Sequence, residues 1–470
     1  MGSGAARPGS GSGLNRLPAG EYHRLTVHPA PADPRLVRGF VPMDWDRKPP
    51  QFKTYPGLEV VPLPRELDDG GLGRVLFLTA GVVRSLPMPG GPMWFRAAGS
   101  AGNLGPVEVY VVDAGGVYHY QPVEHGLVRL GDAPGATSPL LILTGVPWRT
   151  CWKYRERGFR HLWWDAGTML ANLLAVAPDA RVELGFVDAE VAALVGAQGP
   201  SGPLSAGLSP HEVPLAVVAL DGGPVRLPDP PPAGSVPAGH LADEPFEFPL
   251  VTAAFRAGEL TTPAEVDAWR AAYRPASPVD VLPAADPIDD VIRRRGSCRQ
   301  FAPEVAAPPE LLDGGVRWAA SAATLLEHFV TVFSVDGVGP GIYRLAGDGL
   351  ERLVEGDVRA AARHLCLDQD LGGDGAFTVF SCADLDSVLG RLGNRGYRAA
   401  QLEAGVVEGR LHLLAYARGF GATGLTFYDD DVSRFFATRS APMLVTAVGA
   451  PAYRSRPGGL PGHPVPMRVR

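Results

Sequence analysis

The sequence predicts an α+β protein made of two tandem units, each a central mixed sheet flanked by helices, paired within one chain as a pseudo-dimer. Three observations carry this expectation. The chain repeats itself in order, the copies switch from strand to helix periodicity at matching places, and a proline-rich stretch separates them. At 470 residues, 46% hydrophobic and 20% charged, it can bury a large core in two or three domains.

The elements follow in order. Residues 1–20, opening MGSGAARPGSGSG, read as a flexible tail, and a first unit is expected over 21–221. Its early segment FVPMDWDRKPPQFKTYPGLEVVPLP (40–64) is too rich in proline for a helix and suits wrapping a surface. VEVYVVDAGGVYHYQPVEHGLVRL (107–130) reads as strand, turn, strand, turn, strand. In ERGFRHLWWDAGTMLANLLAVA (156–177), Leu162, Ala166, Met169, Leu170 and Leu173 recur at helical spacing, and the Ala166-Gly167 step permits close helix approach. GFVDAEVAALVG (185–196) completes the unit. Residues 222–287 form a Pro-rich linker with one short helix at TPAEVDAWRAAY (262–273).

The second unit, expected over 288–457, repeats the first. HFVTVFSVDGVGPGIYRLAGDGLERL (328–353) has the same strand order, with GIYRL facing GVYHY. NRGYRAAQLEAGVVEGRLHLLAYA (394–417) matches the earlier helix, so Arg395-Gly396-Tyr397-Arg398 faces Arg157-Gly158-Phe159-Arg160, and Glu403 faces Asp165. TFYDDDVSRFFA (426–437) faces GFVDAEVAALVG, and 458–470 is read as a tail.

Composition excludes several functions. A formal charge of −7 gives no general attraction to nucleic acid or an anionic membrane. The four cysteines are far apart, without CxxC or Cys/His ligand spacing, so neither disulfides nor a metal site is expected. No export signal or stretch of about 18 apolar residues is found, so a cytoplasmic protein is expected. GVGPG (337–341) joins two strands, which makes it a hairpin and not a dinucleotide loop.

One charge cluster stands out. IRRRGSCRQF places Arg293, Arg294, Arg295 and Arg299 together with Ser297. A charge-dense phosphate is best held by arginine forks plus a hydroxyl, although such a cluster is also the ordinary make-up of a solvated helix end.

Arg295 with Ser297-Cys298-Arg299-Gln300-Phe301 resembles the R-x-S-x-R-x-F opening of the nitroreductase-like FMN flavoproteins. The repeated strand and helix motifs resemble the branch holding the azoline dehydrogenases of thiazole/oxazole-modified peptide biosynthesis, over Tyr22 to about Pro457 apart from the linker. The resemblance implies an FMN whose phosphate and ribityl chain meet Arg295, Ser297 and Arg299, with Gly296 standing where the family usually has Arg or His. It implies a second phosphate clamp at Arg454 and Arg456, and a loop at Ser100, Ala101, Gly102 and Asn103 that reaches across to the partner unit's flavin. Thr426 and Phe427 fall where backbone contacts to the flavin edge are implied.

The first half lacks the arginine motif and the second has the loop only as ASAATLLEHF (320–329), so one complete site and one FMN per chain are expected. Lys153 and Tyr154 occupy the position implied to serve azoline oxidation, where a base takes a ring proton. The plainer reading has Lys153 capping a helix and Tyr154 packing in the interface. The implied function is FMN-dependent oxidation of thiazolines or oxazolines to azoles in a ribosomally made peptide, with that modified precursor peptide and a cyclodehydratase as partners. An NAD(P)H-dependent nitro or quinone reductase, or a degenerate scaffold of a modifying complex, are the alternatives. Further homodimerisation of the fused pair stays open.

Overall fold

The computed structural model describes residues 16–28, 43–67, 71–197, 212–229, 231–232, 235–237, 239–241, 248–275, 286–347 and 349–467. Most of the expected N-terminal tail, residues 1–15, lies outside them.

Two large sheets follow one strand order. In the first, Val107–Asp113, Gly116–Gln121, Gly126–Gly131, Leu140–Gly145, Arg181–Glu183 and Val213–Ala219 stand third, second, first, fourth, sixth, fifth, with Val60–Pro62 added beyond Gly126–Gly131. In the second, Glu327–Val332, Gly341–Ala346, Gly349–Glu355, Phe377–Ala383, Gly421–Leu425 and Ala441–Gly449 take the same order. The expected mixed sheet is corrected by the ladders, which are antiparallel throughout both sheets. Short connections between sequential strands favour that pairing. A parallel contact appears at the edge of the second sheet, where Ser297 bridges Ala422.

The long buried helices Gly158–Val176 and Arg395–Ala417 pack on one another between the sheets. A Cβ on Gly167 would strike the backbone of Leu402 and Gly405, and one on Gly405 would strike the backbone of Trp164. Glycine at both crossing points therefore sets how closely the halves approach.

Reciprocal ion pairs lock the same contact. Asp429 accepts from Arg157 at 2.9 Å and Arg160 at 2.6 Å, while Asp188 pairs with Arg395 and, at 2.9 Å, with Arg398. Each repeated arginine pair thus holds the aspartate of the other half. All six residues are buried.

The segments outside the repeat depart from expectation. The linker carries two helices among its described residues, Pro249–Ala257 as well as the expected Pro263–Ala272, whose Thr262 and Glu265 form a capping box. The missed helix buries Val251, Ala253, Ala254 and Phe255, so it is part of the core and no loose tether. The expected tail at 458–470 is likewise corrected: Val465–Pro466 pairs in parallel with Val82–Leu86, which pairs in turn with Met93–Arg96. At the N-terminus, Leu17 and Ala19 are buried and Ala19–Leu25 is helical, so chain expected as tail is already packed there.

The proline-rich segment does wrap the first sheet. Buried Lys53 donates to Glu212 at 2.6 Å and Tyr110 at 2.8 Å, and its backbone N–H donates to Glu108. A charge this deep is tolerated because its donors are met by carboxylate and phenol.

Candidate active site

The basic segment and the glycine loop, about two hundred residues apart in the chain, meet across the interface between the halves. Helix Ile288–Arg294 ends at Arg295, whose Nε donates to the Ala97 carbonyl of the first half at 2.8 Å. A Cβ placed on Gly99 would stand 3.7 Å from Arg295 Nη1. That Nη1 is buried and has no hydrogen-bond partner among the described residues. Burial pulls the guanidinium down to about 10, partly countered by Tyr416. An unpartnered cationic donor in such a place is costly unless an anion completes it.

The rest of the segment lines up beside it. Ser297 is half-buried on the bridge to Ala422, Arg299 is exposed, and Cys298 is fully buried, as a small apolar filler would be. The Arg299 backbone N–H donates to the Tyr453 hydroxyl at 3.1 Å, which sets Arg454 and Arg456, both exposed, alongside. Gly296 lies within reach of the Tyr416 hydroxyl. Glu408 stands against Gly424 on the neighbouring strand, 3.5 Å from His412.

The loop is held from beneath by a residue the sequence reading noted in the repeat but gave no site role. Asp165 accepts from the Ser100 hydroxyl at 2.6 Å and from the Ala101 N–H at 2.9 Å, and Ser100 Oγ accepts in turn from Gly105 N–H at 2.9 Å. Burial raises the Asp165 carboxyl to about 7 against the pull of those two donors. Gln51 of the wrapping segment donates to the Asn103 carbonyl, and Arg149 to that of Gly105. Gly102 has φ +62°, and Asn103 also lies in the left-handed region.

This turn brings the loop onto Lys153 and Tyr154. A Cβ on Gly102 would lie 2.9 Å from Tyr154 Oη and 3.2 Å from Lys153 Nζ. Gly102→Ala combines that collision with a strained φ, and we expect it to cost about 1–2 kcal/mol of stability. Urea unfolding of the purified variant measures this.

Lys153 is the exposed last-turn residue of helix Pro147–Tyr154, with its Nζ 5.3 Å from the Tyr154 ring centre. Desolvation lowers its pKa, and the Arg299 guanidinium from the other half lowers it further. Tyr154 behaves oppositely. Its ring stacks on His161 at 3.9 Å, and burial followed by the Asp165 charge pushes the phenol well above its ordinary value. Of the pair, the lysine is shifted toward its neutral, basic form and the tyrosine away from its phenolate.

At Thr426 and Phe427, where backbone contacts are implied, the side chains turn into the fold to different degrees. Phe427 is fully buried, its ring 5.0 Å from the Arg157 guanidinium, so its side chain belongs to the interface core. Thr426 is half-buried at the end of strand Gly421–Leu425.

The counterpart position in the other half is built differently. Glu403, facing Asp165 in the repeat, accepts from Thr324, Leu325 and, at 2.9 Å, the Tyr273 hydroxyl of the linker. Trp269 presses against Gly185, which faces Thr426 in the repeat, and Arg270 donates to the Gly185 carbonyl and pairs with Glu183.

Residues 292–450 match the nitroreductase family. A crystal structure from Anabaena variabilis bearing a nitroreductase name aligns over 92% of this chain and 99% of its own with a TM-score of 0.73 at 24% identity. A Methanocaldococcus jannaschii protein also named for the nitroreductases is 24% identical over 178 residues, 34% of this chain and 90% of the relative. The fold is nitroreductase-like, the fold of flavin-dependent oxidoreductases. The matched region of the nitroreductase family contains the whole Arg293–Arg299 cluster. Among the described residues no group of acidic, histidine or cysteine side chains could hold a metal, and no helix is long and apolar enough to cross a membrane.

The residues present fit a flavin mononucleotide. The partnerless Arg295 Nη1, with Ser297 and Arg299, offers donors to a phosphate, while the Ser100–Asn103 loop and Lys153 face the same space from the other half.

Proposed function

We propose that the protein is an FMN-dependent dehydrogenase that oxidises azoline rings in a ribosomally made precursor peptide to azoles, working beside a cyclodehydratase. In this reading the chain is a fused pair of nitroreductase-like units holding one FMN at their interface. The observation that carries it is the meeting of Arg295, with its unpartnered Nη1, and the Gly99–Asn103 loop beside a lysine of lowered pKa.

Each group has a part in this reading. Arg295 and Arg299, with Arg454 and Arg456 alongside, bind the phosphate, and Ser297 donates to it or to the ribityl chain. Gly296 leaves room beside Tyr416. Ser100, Ala101, Gly102 and Asn103 cover the cofactor, with Asp165 fixing the loop. Thr426 and Phe427 contribute backbone at most. When bound, FMN supplies the two-electron acceptor for a hydride. Lys153, neutral in a larger fraction than an ordinary lysine, takes the ring Cα proton, and Tyr154 stays a neutral phenol that orients the ring.

The counterpart position supports one FMN per chain in this reading. Trp269, Arg270 and Tyr273 of the linker cover Gly185, Glu183 and Glu403, where a second cofactor would need room. One FMN per chain is expected from flavin absorbance against protein concentration after loading, and two per chain would contradict this. Turnover of a thiazoline- or oxazoline-bearing peptide to the azole, followed by the loss of two mass units, tests the reaction; a loaded flavoprotein that reduces nitro or quinone substrates but leaves azolines untouched would overturn it.

A further inference from the structure

Arg84 lies in the first half, on strand Val82–Leu86, outside every motif of the cofactor reading. Its guanidinium makes no ion pair among the described residues and spends its donors on backbone. Nη1 donates to the Arg295 carbonyl at 3.0 Å, while Nη2 donates to the carbonyls of Arg293 at 2.8 Å, Arg294 at 3.2 Å and Arg456 at 2.8 Å. Three of these carbonyls end helix Ile288–Arg294, where the last C=O groups lack helical partners and a cation is favoured. The fourth belongs to the C-terminal arginine segment.

The surrounding backbone repeats the tie. Gly458 N–H donates to the Arg293 carbonyl and Gly459 N–H to that of Val83, and Arg293 donates to the carbonyls of Gly458 and Gly459. Val465 pairs with Arg84 itself in the small parallel ladder. Arg295 is therefore held from the first half at two points, its carbonyl by Arg84 and its Nε by Ala97.

We propose that Arg84 is the positioning residue of the phosphate site, a first-half arginine that joins the Arg293–Arg295 turn to the Arg456 segment and aims Arg295 at the cofactor's phosphate. This rests on the FMN reading above. It adds that the half without the phosphate motif still builds the phosphate site, through backbone and not through contact with the anion. A lysine keeps the charge but has no planar fork to reach both segments.

The test compares FMN with riboflavin, which lacks the phosphate, by fluorescence titration of apo-protein carrying Arg84→Lys or Arg84→Met. Expected is a loss of FMN affinity of about tenfold or more in both variants, with riboflavin affinity within about threefold of the parent and the thermal midpoint of the Arg84→Lys apo-protein little changed. Bound FMN should also show a displaced phosphorus resonance in the Lys variant. Equal losses for FMN and riboflavin would mean a general structural role and overturn the proposal, as would unchanged FMN affinity. Should Arg84→Met fail to fold, Arg84→Lys still decides. If the parent protein binds neither flavin, the FMN reading itself fails, a result distinct from any variant effect.

Discussion

Lys153→Ala is expected to keep its FMN and slow azoline oxidation by about 10²–10⁴-fold, the range a positioned general base contributes. The expectation rests on the proposed function and on an asymmetry within the Lys153–Tyr154 pair. Desolvation and Arg299 lower the lysine, whereas burial and Asp165 raise the tyrosine, so of the two only the lysine is shifted toward its basic form. Tyr154→Phe should accordingly lose less than about tenfold, since it removes a hydroxyl and keeps the ring stacked on His161. The sign of the pH dependence follows. Protonation removes the base, so kcat/KM should fall as pH drops through the lowered Lys153 pKa, and this acid limb should vanish in Lys153→Ala. A variant that keeps its flavin and oxidises azolines at the parent rate would show that the proton goes elsewhere.

Asp429→Ala is expected to destabilise the fold by about 3–5 kcal/mol, because it leaves two buried guanidiniums without their carboxylate. Arg157 and Arg160 reach Asp429 from the other half, and the backbone N–H of His28 donates to the same carboxylate at 2.8 Å. Burial alone would push this carboxyl up, yet Arg160 and then Arg157 outweigh it and hold it at about 2 against an ordinary 3.8. A depressed folded-state pKa means stability that is present above about 4 and lost as pH falls toward 2, a contribution of about 2 kcal/mol. Urea titrations at pH 7 and pH 3 would measure both effects. A double-mutant cycle with Arg160→Met separates the pair from the cost of the orphaned charge. An Asp429→Ala loss below about 1 kcal/mol would mean that water or a rearranged neighbour compensates the arginines.

These pairs also mark how far the sequence could be read. The match of Arg157–Arg160 with Arg395–Arg398, and of Asp429 with Asp188, was visible as repetition, but not that each arginine pair crosses to the other half's aspartate. The same holds for Asp165 and Glu403. Two acids at equivalent points of an otherwise apolar helix face were the available signal for a loop anchor. No local signal marked Arg84, whose partners are four main-chain carbonyls with no side-chain signature. Helix Pro249–Ala257 was missed because its proline-rich flanks masked a short apolar face that only the core rewards with burial.

By itself the sequence determined the repeat, the strand and helix order within each copy, and the segregation of the arginine cluster to one half and the glycine loop to the other. Those properties are local, set by periodicity, turn residues and charge along the chain. The tertiary structure alone decided that the two fragments share one space, that Lys153 feels Arg299, and that the linker covers the counterpart position. The physical reason is the glycine crossing of the two central helices. It brings segments far apart in the chain within hydrogen-bond reach, where burial and neighbouring charge set what each side chain can do.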